Sequence, residues 1–125
     1  MKLFLPLAAA LTLSACATTT MAEPPIRADG QARIGQSTRV GAMVVTPLSL
    51  VEDSRCPINA RCVWAGRLIL KSRIDGAGWR ETANLTLGEA YATHGLRLAL
   101  VSAEPGKMAG ATPSPPASLF VFEAR

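Results

Sequence analysis

The sequence predicts a small all-β domain, an antiparallel β-sandwich or β-barrel of about six strands, within residues 31–125. In this region, short runs of alternating apolar and polar side chains predict half-buried strands. Turn-forming glycines and prolines separate the runs at fairly regular spacing. No segment after residue 16 combines a sustained 3.6-residue pattern with helix caps. A length of 125 residues favours a single domain.

The first predicted strand region is the run TRVGAMVVTPLSLVEDS, residues 38–54. Alternation places Thr46 on an inward face with five apolar residues, namely Val40, Ala42, Val44, Leu48 and Leu50. Pro47 has no N–H group to donate to a ladder. It therefore predicts an edge position, a bulge or a break of this run into two strands.

The next element is a predicted hairpin formed by residues 62–75, CVWAGRLILKSRID, and residues 79–87, WRETANLTL. The inward face of its first strand is expected to carry Cys62, Trp64, Gly66, Leu68, Leu70, Ser72 and Ile74. The matching face of its second strand is expected to carry Trp79, Glu81, Ala83, Leu85 and Leu87. The connection DGAG, residues 75–78, predicts a tight turn because glycine readily adopts a positive φ.

Two further strands are predicted at residues 94–102, HGLRLALVS, and residues 117–125, ASLFVFEAR. Between them lies AEPGKMAGATPSPPA, residues 103–117, which contains four prolines and no periodic pattern. A connection of this length is unusual in a compact domain. We expect it to be functional or mobile.

Residues 1–15 have the layout of a secretory signal peptide, with a positive Lys2, a short apolar run and small residues. The run ends in LSAC, residues 13–16, which resembles the lipobox of bacterial lipoproteins. The resemblance implies that Cys16 receives a diacylglycerol on its thiol and becomes the new N-terminus. In that family an Asp after the cysteine favours the inner membrane. Ala17 stands there instead, which implies the outer membrane, facing the periplasm. Ordinary cleavage is the alternative, and it would leave a soluble periplasmic or secreted protein.

Residues 16–30 are small, polar and interrupted by proline, which predicts a flexible tether between the membrane and the β domain.

The cysteine count agrees with lipidation of Cys16. If Cys16 carries lipid, Cys56 and Cys62 remain as an even pair in an oxidising compartment, where a disulfide is the default. Trp64, two residues beyond Cys62, is expected to pack over that bridge.

The block VEDSRCPINARCVWAGRLIL, residues 51–70, resembles one found in small exported bacterial proteins and lipoproteins of unassigned function. The shared pattern is Asp-Ser-Arg-Cys-Pro, a short gap and Cys-x-Trp-Ala-Gly, matched here at residues 53–57 and 62–66. The later segments GLRLALVSAEP and LFVFEAR also stand where that family places its last strands. The resemblance implies a shared fold and brings no activity with it.

Five side chains of this block are candidates for binding: Asp53, Ser54, Arg55, Arg61 and Trp64. The first three are a polar group of the kind used in binding sites. Equally, Asp53 and Ser54 can cap a turn while Arg55 pairs with Asp53, which is the interpretation we adopt. A disulfide-braced loop that presents Arg55 or Arg61 would also suit the pocket of a trypsin-like protease.

These features together predict a non-enzymatic protein of the cell envelope, anchored to the membrane by lipid on Cys16. It would bind an envelope protein or a glycan, or serve as a structural module. A protease inhibitor acting through residues 56–62 is the alternative. No catalytic residue, cofactor or metal site is predicted, because His94 is the single histidine and no Gly-x-Ser-x-Gly or Cys-x-x-Cys motif is present. The net charge of +4 arises without a basic run, which argues against nucleic acid as a partner.

Overall fold

The computed structural model of the chain describes residues 9–17, 24–110 and 115–125. Three predicted segments therefore lie partly outside the described residues: the signal peptide at residues 1–8, the tether at residues 18–23 and the proline-rich loop at residues 111–114. Among the described residues no helix has the length and apolar character needed to cross a membrane.

The described part of the chain contains eight strands in two antiparallel sheets, and the prediction of an all-β sandwich is confirmed. The first sheet has the order β2-β3-β4-β5, and the second has the order β1-β8-β7-β6. The strands are β1 (Gln31–Ala32), β2 (Thr38–Val40), β3 (Met43–Asp53), β4 (Leu68–Gly76), β5 (Trp79–Thr86), β6 (Ala90–Thr93), β7 (Leu96–Glu104) and β8 (Leu119–Ala124).

The strand number exceeds the predicted six because β1, β2 and β6 have only two to four residues each. Strands that short do not display a period of two in the sequence. The two sheets enclose one apolar core, whose fully buried large side chains include Met43, Leu68, Leu70, Ile74, Leu85, Leu98, Leu100 and Phe120. Burial of this kind stabilises the fold by roughly 1.5–3 kcal/mol for each large apolar side chain.

The hairpin of β4 and β5 is confirmed, with a register that runs from Ile69 opposite Thr86 to Gly76 opposite Trp79. The predicted inward residues of β4 from Leu68 onward are buried. The start of this strand differs from the prediction, because residues 62–67 form a loop and β4 begins at Leu68. The alternation expected for residues 62–67 therefore does not hold.

The inward face of β3 also differs from the prediction. Met43, Val45 and Pro47 are buried against the core. Of the residues predicted to face inward, Ala42 and Leu48 are exposed, and Val44 and Thr46 lie on the outer face of the sheet. The reason is a turn at residues 41–42, which ends β2 and shifts the alternation of β3 by one residue. A sequence pattern counted through such a turn assigns the wrong face.

Pro47 marks a β-bulge, one of the three outcomes predicted for it, because the register with β4 shifts between Pro47 and Ser49. The bulge restores the predicted direction of Leu50, which packs against the core. Thr46 is buried on the other face of the sheet, where its hydroxyl lies 2.7 Å from the hydroxyl of Ser37.

The β domain includes residues that were assigned to the tether. The N–H of Arg27 donates to the carbonyl of Ser37 at 2.9 Å, and the N–H of Arg39 donates to the carbonyl of Arg27 at 2.7 Å. The carbonyl of Gly30 accepts from Phe122 at 2.8 Å. Residues 27–30 thus extend the edge of the sandwich through backbone hydrogen bonds.

Candidate functional site

Two connections meet at one end of the sandwich and form a surface that we call the rim. The rim consists of residues 54–67, which join β3 to β4, and residues 105–110, which follow β7. It contains every residue that the sequence marked as a binding candidate except Asp53, which is the last residue of β3.

The two connections of the rim are hydrogen-bonded to each other. The N–H of Ile58 donates to the carbonyl of Lys107 at 2.9 Å. The amide of Asn59 donates to the carbonyl of Ala109 at 3.2 Å and accepts from the N–H of Ala109 at 2.6 Å. The rim is therefore one supported surface rather than two independent loops.

A disulfide closes the first connection. Cys56 and Cys62 are bonded as predicted, with their Cα atoms 5.9 Å apart. Within the closed loop, the N–H of Ala60 donates to the carbonyl of Pro57 at 3.1 Å and forms a turn. In the chain-entropy description, a loop this short stabilises the folded state by about 2.4 kcal/mol, because it restricts the unfolded chain.

An ion pair between Asp53 and Arg55 joins the two connections from below. The guanidinium of Arg55 donates to both carboxylate oxygens of Asp53, at 2.8 and 3.0 Å. Its remaining N–H groups donate to the carbonyls of Ala103 at 3.0 Å and of Pro105 at 3.2 Å. The two side chains are only 14% and 11% exposed. The predicted pairing is present, and it holds the charged groups of Asp53 and Arg55 inside the rim.

The charge of Asp53 is maintained by its neighbours. The hydrogen bond from Arg55 lowers the pKa of Asp53 below its usual value and outweighs partial burial, which acts in the opposite direction. Lys107 donates to the backbone carbonyl of Asp53, and its ammonium lies 4.0 Å from the Asp53 carboxylate. Two cations thus surround one carboxylate beneath the rim.

Ser54 closes the base of the first connection. Its N–H donates to the carbonyl of Arg67 at 2.8 Å, and its hydroxyl accepts from the N–H of Arg67 at 3.1 Å. The backbone of Ser54 lies so close to Gly66, which has φ of +68°, that there is no room for a side chain at this position. The hydrogen bonds between Ser54 and Arg67 therefore continue the pairing of β3 with β4 past the ends of the two strands.

The outer part of the rim is apolar and exposed. Val63 is 93% exposed, Trp64 is 81% exposed and Ile58 is 75% exposed. Arg61 is also exposed beside them. The prediction that Trp64 packs over the disulfide is wrong, because the chain bends at residues 63–64 and does not continue as the strand that would place both side chains on one face.

The structure brings together residues that sequence reasoning did not connect. Asn59, Lys107 and Ala109 contribute to the rim although Asn59 and Ala109 lie 50 positions apart. The length and composition of residues 103–117 were the one signal in the sequence that pointed to this loop. No local pattern showed which other loop it would contact.

His94 lies in the turn between β6 and β7, before β7 begins, whereas the rim follows the end of that strand. Its ring stacks on Trp79 with centroids 3.9 Å apart and planes 8° from parallel. Its Nδ1 lies 2.8 Å from the hydroxyl of Thr93. Among the residues that the structure describes, no group of three or more His, Cys, Asp or Glu side chains is arranged to hold a metal ion.

Cys16, the predicted lipidation site, has an exposed free thiol. Comparison of the chain with protein-family models, with curated proteins and with solved structures finds no match in any of the three.

Proposed function

We propose that this chain is a non-enzymatic envelope protein, anchored by lipid on Cys16, that binds a partner protein through the outer part of the rim. The observation that carries the proposal is the exposure of Ile58, within the disulfide-closed loop, and of Val63 and Trp64, directly after it. Single exposed apolar residues are common on protein surfaces. Three within residues 58–64 of one connection provide apolar surface suited to a protein partner.

The physical support comes from the way the rim is held. A loop that is closed by a disulfide and hydrogen-bonded to its neighbour loses little conformational entropy when a partner binds. Tryptophan is enriched among the residues that contribute most to protein–protein affinity. The polar residues beneath, Asp53 and Arg55, satisfy each other and leave the apolar side chains as the contact surface.

The envelope location is supported by three features of the chain. The disulfide between Cys56 and Cys62 is typical of proteins in an oxidising compartment. The sequence around Cys16 resembles the bacterial lipobox, and Ala17 favours the outer membrane on its periplasmic face. Two or three acyl chains on Cys16 would make the anchoring stable, since a single chain gives only marginal binding.

Photocrosslinking in living cells tests this proposal. The variant Trp64→p-benzoylphenylalanine is expected to give one discrete adduct of protein size after illumination. The matched control, Glu123→p-benzoylphenylalanine on the opposite sheet, is expected to give none. Co-expression of an excess of the wild-type chain should suppress the adduct, because it competes for the same partner.

The same cells, labelled with an alkyne fatty acid, test the anchor. Wild-type chain should carry the label, and Cys16→Ser should lose both the label and membrane fractionation. Equal adducts at positions 64 and 123 would contradict partner binding at the rim, and a polysaccharide smear would assign the rim to a glycan. A labelled Cys16→Ser chain would contradict lipidation at this residue.

Protease inhibition is the second candidate, and the geometry restricts it to one residue. The guanidinium of Arg55 is bound to Asp53 and to two carbonyl groups, so it does not project from the rim. Arg61 is exposed on the closed loop. If Arg61 entered a trypsin-like pocket, the purified domain would lower trypsin activity and Arg61→Ala would not.

We expect trypsin to keep its full activity in the presence of a molar excess of the domain. The turn between Pro57 and Ala60 folds the loop back on itself just before Arg61, whereas a protease cleft takes an extended segment. Inhibition that Arg61→Ala abolishes would establish the second candidate in place of partner binding.

A further inference from the structure

A groove of about 500 Å³ lies on the outer face of the first sheet, at the end opposite the rim. Pro24 and Ile26 form one wall, and Val44 and Leu48 of β3 form an apolar floor. The other wall carries charged side chains of β4 and β5, which are Arg73, Asp75 and Arg80. The groove thus combines an apolar strip with a charged side.

The register of the first sheet makes this face basic. Arg39, Val44, Asp75 and Arg80 form one row across the four strands. The next row toward the rim carries Arg73, and the following row carries Lys71. Four basic side chains, Arg39, Lys71, Arg73 and Arg80, therefore accompany one carboxylate in these three rows.

Asp75 organises the basic side of the groove without neutralising it. Arg73 donates to one of its oxygens at 3.1 Å, and Arg80 donates to the other. Burial raises the pKa of Asp75, but the hydrogen bonds from Arg80 and Arg73 outweigh it and keep the pKa below its usual value. Each guanidinium donates to Asp75 through its Nε, and the N–H groups on its terminal nitrogens can bind an added anion.

The outer face of the second sheet lacks this basic excess. Register places Glu104 beside Leu119 and Glu123 beside Ala99 on this face. Arg97 shares it, two residues before Ala99. Arg125 lies 3.9 Å from the carboxylate of Glu123, so two carboxylates and two guanidinium groups balance on this side, and the basic excess belongs to the first sheet.

The start of the domain lies at the basic face. Pro24 and Ile26, which form the groove wall, are among the first described residues of the domain. Cys16 precedes Pro24 by eight residues. Covalent geometry limits this span to about 28 Å even when fully extended. A lipid on Cys16 would thus keep the groove close to the membrane surface.

We infer that this groove docks on anionic phospholipid, with a headgroup phosphate at Arg73 and Arg80 and apolar contact along Ile26 and Leu48. The inference rests on the proposed anchoring at Cys16. Negative lipid headgroups attract basic side chains at short range. Each basic side chain near the surface raises the partition of the protein onto the membrane by roughly a factor of five. The rim, at the other end of β3 and β4, is then directed away from the bilayer toward its partner.

Flotation with lipid vesicles tests the inference, using the chain from residue 16 with Cys16→Ser. This chain contains every strand and the disulfide. It should float with phosphatidylcholine vesicles that contain phosphatidylglycerol, and not with phosphatidylcholine alone. High salt should release it, because screening weakens the attraction. Arg73→Gln with Arg80→Gln should reduce partition about 25-fold.

Three control variants locate the contact. Arg97→Gln with Arg125→Gln removes the same charge from the opposite side and should change partition by less than about twofold. Arg73→Lys with Arg80→Lys should retain binding, and thermal unfolding of each variant verifies folding. Trp64→Ala should float like the parent chain, so failure of partner binding at the rim does not affect this assay.

Four outcomes would overturn the inference. They are equal flotation with both vesicle types, equal loss in the two glutamine double variants, loss in Trp64→Ala, and release by inorganic phosphate at constant ionic strength. The third would move the membrane contact to the rim. The fourth would make the groove a site for free phosphate.

Discussion

Replacing Gly66 with alanine is expected to lower the free energy of unfolding by about 4 kcal/mol. Gly66 has φ of +68°, and a Cβ at this position would lie 1.9 Å from the carbonyl oxygen of Ser54. That atom belongs to the backbone, so it cannot rotate away as a side chain would. The base of the rim would have to open, and the hydrogen bonds between Ser54 and Arg67 would be lost.

Gly78→Ala is the matched control for this prediction. Gly78 also has a positive φ, of +78°, but nothing lies within 4 Å of a Cβ added there. Its alanine variant therefore incurs only the backbone cost, about 1–2 kcal/mol. Urea denaturation with the disulfide intact measures both. Equal destabilisation of the two variants would show that the close approach of Ser54 has no energetic weight.

Removal of the Arg55 side chain is expected to destabilise the domain by about 3 kcal/mol at neutral pH. Arg55→Ala leaves a largely buried Asp53 carboxylate without its bidentate partner, and it frees the carbonyls of Ala103 and Pro105. Arg67→Ala is the control, because Arg67 pairs with Glu52 while 63% exposed. An exposed pair of that kind contributes about 0.5 kcal/mol.

The contribution of this ion pair depends on pH in a defined direction. Arg55 lowers the pKa of Asp53 in the folded state, below the value of about 3.9 in an unfolded chain. Its stabilisation is therefore complete above about pH 5 and is lost as the pH falls through the folded-state pKa. Urea denaturation should show a large difference between wild type and Asp53→Asn at neutral pH that shrinks in acid. A difference that stays constant with pH would contradict the role of the Asp53 charge.

These predictions distinguish a polar lower part of the rim from an apolar outer part. The lower part, with Asp53, Arg55 and Ser54, consists of polar atoms that satisfy one another. The outer part consists of apolar side chains that no part of the described domain covers. Variants of the lower part should change stability, whereas Trp64→Ala should leave stability unchanged and remove partner binding.

Much of the fold could be predicted from alternation because each sheet of a sandwich has one buried face. The strand of Leu68–Gly76 shows this most clearly, since its buried residues follow at intervals of two and its turn contains glycine. The method failed where the period was interrupted. A turn at residues 41–42 shifted the count by one residue and reversed the assigned faces, and residues 62–67 form a loop where the start of a strand was predicted.

The candidate site was only partly predictable. The disulfide between Cys56 and Cys62 followed from the number of cysteines, and the pairing of Asp53 with Arg55 followed from their closeness in the chain. The contact of Asn59 with Ala109 joins residues 50 positions apart, and it depends on how two loops meet. No period or composition encodes such a contact.

By itself the sequence determined the fold class, the central hairpin and the covalent bridge, because these depend on interactions between near neighbours and on side-chain alternation. Only the tertiary structure decided that Trp64 is exposed, that Arg55 is enclosed by carbonyls of another connection and that the basic residues of β2, β4 and β5 align on one face. The physical reason is that strand register and loop docking bring together distant segments, and their geometry is set by the packing of the whole domain.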